Sequence, residues 1–494
     1  MDKKKILDKK EVWDKKEMYR YLDDNLKVMA DVSDKIWDCA ETAFEEVRSA
    51  ALLMDLMRER GFTVEEKTGD VDTAFCASWG SGGPVIGILA EYDALSGLSQ
   101  VPGIAERKAL SPGGNGHGCG HNLFAGASAG AALAVGKYLE GNGVSGTVRL
   151  YGCPGEEGGS GKAFMARAGV FDDLDVAVTW HPMTVNAIWD VSSLANFQVL
   201  YKFRGRASHA ASSPHAGRSA LDAVELMNVG VNFLREHVIQ EARIHYAITN
   251  AGGFSPNVVQ PAADVLYLIR APKTPQVEEI YARVNKIAQG AALMTETELE
   301  IQFIKACANI VPNKTLSKVL YDNLLDQKLP DYTAEERRFA DDVAKTAEWT
   351  LDDVARFLGR YPADLRKYSR LLEGKSLCEL VLPFHEDGPD GLMPGSSDVG
   401  DVSWIVPTSQ VVTTCYSITA PGHSWQRVSQ GRTSLAHKGM LLAAKVMAGG
   451  AVDVLHSPDI VKKAKEELKE RLEGAVYRCA IPPEVKPRPI GKLS

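Results

Sequence analysis

The sequence predicts an α/β protein of more than one domain, and three observations carry the prediction. Short apolar runs at 85–90, 147–152 and 176–180 each end in a loop bearing acids or a histidine, the pattern of strands buried in a parallel sheet. An alanine-rich stretch at 124–139 reads as a helix packed closely on that sheet. At 494 residues the chain also exceeds what one hydrophobic core organises.

The elements follow in order. Residues 18–60 are helical in two segments, with Tyr21, Leu22, Val28, Met29, Val32 and Ile36 about a turn apart, a break at 39–42, and Gly61 as the stop. After the central strands, 197–203 alternates as a strand, and a polar loop at 205–217 carries Ser208, His209 and His215. Val224, Met227, Val231, Leu234 and Val238 mark a helical face; 265–269 is a strand ending in Arg270, and 278–294 a further helix. This strand-helix-strand-helix unit, closing near 308–312, predicts a smaller domain inserted in the first. Residues 316–383 are charged and helix-prone, and read as a helical insertion. Sheet-like and glycine-rich signals return at 393–400 and 411–418, 439–448 is a closing helix, a charged helix begins at Lys462, and the proline-rich 481–489 is extended.

Composition is that of a soluble globular chain, 45% hydrophobic and 24% charged, and the net charge of -8 argues against nucleic-acid binding or attraction to anionic membranes. The lysine-rich 1–10 is followed by charged residues rather than an apolar run, so no signal peptide is expected. No uninterrupted apolar stretch reaches the roughly 20 residues that span a bilayer. Eight scattered cysteines without a CxxC pair suit a reducing compartment, and the expected location is cytoplasmic.

Two lookalikes are set aside. Gly126-Ala127-Ser128-Ala129-Gly130 has the spacing of a nucleophile elbow, but no strand precedes the serine. The run 155–162 resembles a phosphate loop, yet its glycine falls one place early, Ala163 replaces the hydroxyl residue, and two glutamates would repel phosphate. The chemistry-bearing residues lie elsewhere. In Asn115-Gly116-His117-Gly118-Cys119-Gly120-His121-Asn122 a thiol and two imidazoles stand between glycines that let the backbone wrap an ion. Glu156-Glu157 follows a buried strand, where one carboxylate can bind a metal while its neighbour takes a proton from water. His181 offers a further imidazole at a strand end; His423, His385 and His437 compete by spacing for a last one. Asp93, Glu156, Glu157 and His181 all stand beyond strand ends, which in an open sheet converge on one crevice. Accessible between Ser208 and Ala210, His209 could polarise a carbonyl, and Arg270 could hold a carboxylate bidentately.

Through Gly118-Cys119-Gly120-His121, Gly155-Glu156-Glu157, Trp180-His181-Pro182, Ser208-His209-Ala210 and His423 the chain resembles the dinuclear metallo-amidohydrolases and exopeptidases that include carboxypeptidase G, the aminoacylases and the plant indoleacetyl-amino-acid hydrolases. Strings such as NGHGCGHNL, YGCPGEEGGSGK and SPHAGRSALDAV resemble the branch that hydrolyses p-aminobenzoyl-glutamate. The resemblance implies a discontinuous catalytic domain at 1–192 and 384–494, with a mixed, largely parallel sheet sandwiched by helices. An inserted α+β lid and dimerisation domain is implied at 193–315. Two divalent ions, manganese or zinc, are implied on Cys119, His121, Glu157, His181 and His423, with Glu156 as general base. His209 is implied to reach into a partner's site, with Asn257 and Arg270 holding the substrate's carboxylate. Where other branches carry a His-x-Asp ligand pair this chain has Glu91-Tyr92-Asp93, so His121 replaces that histidine and Asp93 keeps an orienting role. Where the plant enzymes have Asp, this chain has Asn122. The implied substrate is a small acyl-amino acid, and the implied assembly a homodimer or a heterodimer with a related chain. Two competing readings, a serine hydrolase and a non-catalytic member of a larger enzyme, differ in sensitivity to chelation and in the activity of the isolated chain.

Overall fold

The computed structural model of the chain describes residues 13–357, 367, 370–387 and 391–489; the lysine-rich 1–10 and parts of the helix-prone 316–383 lie outside them. The larger sheet contains β1 (Thr63–Glu66), β2 (Phe75–Ser81), β3 (Val85–Ala90), β4 (Gly146–Gly152), β5 (Val176–Met183), β6 (Ala187–Ile188) and β11 (Thr408–Thr414), in the order β1-β2-β4-β3-β5-β11-β6. Its centre, β4-β3-β5-β11, is parallel, and both edges pair antiparallel. Burial on two faces gives the central strands their unbroken apolar character, and every residue of β11 is buried.

The helix His121–Asn142 lies on this sheet and is buried along nearly its whole length. Small residues make close packing possible on both sides: a Cβ at Gly130 would sit 2.0 Å from Met29 Sδ of a neighbouring helix, and toward the sheet Ser128 Oγ donates to the Leu89 carbonyl at 2.6 Å. Ser128 is therefore a packing residue inside a helix, with no strand before it. The helix Ser434–His456 packs against the same helix and β11; it is long and apolar enough to cross a membrane, but 78% of its apolar window is buried in the core. The N-terminal region forms three helices, Lys15–Asp24, Leu26–Cys39 and Val47–Glu59, rather than two, because the chain leaves helical geometry at Asn25.

The smaller sheet holds β7 (Ala195–Arg204), β8 (Arg243–Asn250), β9 (Ala262–Ala271) and β10 (Glu298–Cys307) in the antiparallel order β10-β7-β9-β8. The helices Ala220–Leu234 and Thr274–Thr295 pack on it, giving a split βαβ arrangement in which β8 and β10 add to the two strands read from sequence. Beyond it, the helix Lys314–Leu325 sets Leu316, Leu320 and Leu324 in the main core, so the first part of the span read as an insertion is continuous with the larger sheet's packing.

Candidate metal centre

The loops at the carboxyl ends of β3, β4 and β5 meet the turn before the helix Trp425–Gln430, as an open parallel sheet requires. Cys119 stands just before the helix His121–Asn142, where Gly120 takes φ +81° and a Cβ would lie 1.9 Å from the Tyr416 hydroxyl. Only glycine fits that turn. The loop thus aims Cys119 Sγ and His121 Nε2 to one side.

Three groups of ligand atoms form there, each within 4.8 Å: Cys119, His121 and His181; Cys119, Glu157 and His423; and Glu91, His121 and Glu156. Cys119 is common to the first two, so its thiolate could serve two ions. Cys119 Sγ lies 3.4 Å from His181 Nε2, and His423 Nε2 lies 3.2 Å from Glu157 Oε1. The supporting hydrogen bonds orient the imidazoles. His121 Nδ1 donates to Asp93 Oδ1 at 2.8 Å and His181 Nδ1 to the Pro182 carbonyl at 3.0 Å, which turns each Nε2 toward the site, where a bound cation would meet it. Asp93 Oδ2 also accepts from the Glu157 amide at 2.9 Å, so one buried carboxylate aligns two of these residues.

Burial alone would raise the Cys119 thiol, but His181 and His121 outweigh it and hold it well below its usual range, in the thiolate form that binds metal. Glu156 is pushed well above the ordinary carboxylate range by burial, then by Glu91, Glu157 and Asp398. His121 Nε2 faces Glu91 Oε2 and His423 Nε2 faces Glu157 Oε1, each at 3.2 Å, without the geometry of a hydrogen bond for these buried atoms. Imidazole nitrogen, carboxylate oxygen and the Cys119 sulfur turned toward one point fit a pair of divalent cations.

Behind the site lies a buried ion cluster that sequence reading did not find. Lys162 Nζ reaches Glu91 Oε1 and Asp398 Oδ1, each at 2.6 Å, with all three side chains 0–2% exposed. Burial would lower the Lys162 ammonium, yet Asp398 and Glu91 hold it well above its ordinary value. The lysine of the phosphate-loop lookalike is therefore a structural cation. Glu46, also missed, accepts from the Gly155 amide and Thr73 hydroxyl at 2.8 and 3.0 Å; burial, then Asp93, pushes its carboxyl up to about 8.

A cavity of about 490 Å³ opens from Cys119, Glu156, Glu157, His181 and His423 toward the smaller sheet, whose Arg270 lines it with Nη1 2.8 Å from Ser396 Oγ. Trp349, from the helix-prone span, forms part of its wall. His209 and Asn257 are placed elsewhere, on two exposed loops of the smaller domain, after β7 and between β8 and β9, that are bridged at His209 and Val258; His209 Nδ1 accepts from the Ala211 and Ser212 amides and the Asn257 carbonyl accepts from Ala210. Neither lines this cavity. Nor do His385 and His437, the rivals of His423; His437 pairs with Asp34 at 3.0 Å.

No protein-family model matches the chain. It is 48% identical over 481 residues to the B-type component of the p-aminobenzoyl-glutamate hydrolase of Escherichia coli (strain K12), covering 96% of this chain and 99% of that one. The chain belongs to the p-aminobenzoyl-glutamate hydrolase family. It is also 28% identical to the Xaa-Arg dipeptidase of Mus musculus, covering 92% of this chain and 91% of that one. Its fold is that of a putative aminohydrolase from methicillin-resistant Staphylococcus aureus (TM-score 0.61, 15% identity, 90% of this chain and 100% of that one). It is shared by a Bacillus subtilis dinuclear metal-binding M20 peptidase (TM-score 0.52, 15% identity, 87% and 98%). The chain is a hydrolase of the metal-dependent amidohydrolase class.

Proposed function

We propose that the chain hydrolyses the amide bond of an N-acyl or N-aroyl amino acid, with p-aminobenzoyl-glutamate, split to p-aminobenzoate and glutamate, as the first substrate to test. The sharing of Cys119 between two ligand groups, with Glu156 on the same cavity wall, carries this reading. Cys119, His121, Glu157, His181 and His423 would hold two divalent ions, manganese or zinc, the thiolate favouring zinc by softness. When bound, such ions supply Lewis acidity toward a carbonyl and lower the pKa of water. Asp93 holds His121 and the Glu157 backbone in register. Glu156, on the cavity wall beside the ligand Glu157, takes the proton of the attacking water and returns it to the leaving amine. Arg270, without a carboxylate partner among the described residues, holds the substrate's carboxylate by paired hydrogen bonds.

The exposed loops bearing His209 and Asn257 support a site completed by a second chain, with His209 polarising the partner site's carbonyl. The edge strand β8, with exposed Tyr246 and Ile248, is a surface such a partner could cover. That partner is a second copy or a related chain; the A-type component of the same Escherichia coli (strain K12) hydrolase is 29% identical over 55% of this chain. Eight free thiols suit a cytoplasmic location. The deciding experiment measures metal by mass spectrometry together with p-aminobenzoyl-glutamate cleavage before and after chelation. About two ions per chain and chelator-sensitive cleavage support the proposal. Metal without cleavage, unchanged on adding a related partner chain, overturns the substrate; absence of metal with no rescue overturns the centre.

A further inference from the structure

The wall of the cavity facing the metal centre is one face of the smaller sheet, and it is built as two cross-strand rows. Cys307, Asn196 and Arg270 are paired partners across β10, β7 and β9; two residues along, Lys305, Gln198 and Leu268 form the next row. All six side chains line the cavity. Side chains two apart on a strand share a face, so the topology places Arg270 and Lys305 on one surface, about 10 Å apart across the sheet and offset by about 7 Å along it.

Lys305 is 7% exposed and makes no ion pair or hydrogen bond among the described residues. A buried ammonium without a counter-charge is expensive and rare. The acids that could have neutralised it are committed elsewhere: Asp398 to Lys162, and Glu300 to Lys202 at 3.6 Å. Glu484 and Glu300 line, with Lys305, a second cavity of about 300 Å³, and neither is within ion-pair distance of Lys305. Beside Lys305, Asn196 is 3% exposed and its Oδ1 has no partner. Arg427, another buried cation of the cavity, already stacks over the Tyr416 ring at 5.2 Å and donates to the Ala420 carbonyl. Two cations and an orphaned amide thus share the sheet wall with no anion among them.

Building on the proposed amidohydrolase activity, we infer that this wall reads two carboxylates: Arg270 takes the α-carboxylate of the amino-acid half and Lys305 a second carboxylate on its side chain, with Asn196 Oδ1 accepting from the scissile N–H. Lys305 is then the residue that selects an acidic side chain in the amino-acid half. Neutral analogues leave the Lys305 ammonium buried and unpaired, which is the basis of discrimination.

The test compares p-aminobenzoyl-L-glutamate with its isosteric, neutral relative p-aminobenzoyl-L-glutamine, using the full-length, metal-loaded protein. Wild type should prefer the glutamate in kcat/KM by at least tenfold; Lys305→Met should collapse that preference toward unity, and Lys305→Arg should retain most of it. A wild-type ratio near one, or a Lys305→Met variant that keeps the wild-type ratio, overturns the inference. Should Lys305→Met fail to fold, calorimetric titration of wild type with L-glutamate and L-glutamine reads the same subsite, tighter glutamate binding supporting it and equal binding overturning it. Should wild type turn over neither substrate, the proposed activity fails, and the same titration still decides the subsite.

Discussion

Replacing Lys162 by methionine removes the cation from between two carboxylates that water does not reach. Its Nζ contacts Glu91 Oε1 and Asp398 Oδ1 at 2.6 Å, and its own amide donates to Asp398 Oδ2 at 2.9 Å. Methionine keeps the volume and the amide bond but leaves two buried anions facing each other. Breaking a buried pair by removing one partner costs about 3–5 kcal/mol, which corresponds to a rise in the unfolding constant of roughly two to three and a half powers of ten. The measurement is guanidinium unfolding by tryptophan fluorescence, in chelator so that metal binding contributes nothing to either variant. Lys162→Met should fall in that range, and the neutralised triple variant Lys162→Met, Glu91→Gln, Asp398→Asn should recover most of the loss. A single variant within 1 kcal/mol of wild type, or a triple variant no more stable than the single one, would refute the view that charge balance governs this cluster.

Other outcomes are equally specific. Glu156→Gln should retain both metals and lose about 10²–10⁴ in kcat, measured by mass spectrometry and p-aminobenzoate release; normal turnover would remove Glu156 from the proton-transfer role. Asp93→Asn frees His121 to rotate and should weaken metal affinity by about 10–100-fold in competition with a chromogenic chelator. Cys119→Ser should deplete both ions together, whereas loss of a single ion would show that the thiolate is not shared. The Asp401 carboxyl, buried and accepting from Tyr477 at 2.8 Å, is pushed up to about 7. The folded state therefore binds its proton more tightly than the unfolded chain, and its contribution to stability is present below about pH 4 and lost as pH rises through 7. Asp401→Asn should gain stability relative to wild type progressively across that window in denaturation at fixed metal, and a pH-independent difference would contradict the assignment.

The parallel centre of the fold was legible because strands buried on both faces must be apolar throughout, as 85–90 and 176–180 are. Strand β8 was missed although Ile244, Tyr246 and Ile248 alternate along it, a signal that could have found it; as an edge strand it leaves Tyr246 and Ile248 exposed. Strand β10 was missed because its pattern is broken by a register shift between Phe303 and Lys305 and because it turns polar residues into the cavity. That one omission also hid Lys305. At the centre, Cys119 announced itself through its glycine-rich loop and Glu156 and Glu157 through their place after β4; His181, expected beyond a strand end, lies inside β5, whose ladder continues to Met183. Lys162 did not: its partner Asp398 is 236 residues away, and nothing in the local sequence distinguishes it from a solvated lysine. His423 was one of three equal histidines by spacing, and the fold brings only that one to the cavity.

The helix that begins at His121 extends 22 residues through the main core, held by contacts to Met29, Leu89 and Trp180. At 1.5 Å per residue it is a rod of about 33 Å whose first side chain belongs to the metal centre. Its small residues leave little slack to absorb displacement, so this wall of the centre inherits the rigidity of the core while the opposite wall rides on a separate sheet. Accommodation of substrates of different size must then come from the sheet side. A small-to-large change at Gly130, nine residues along the rod, would be registered at the far end as altered metal affinity before any surface loop felt it.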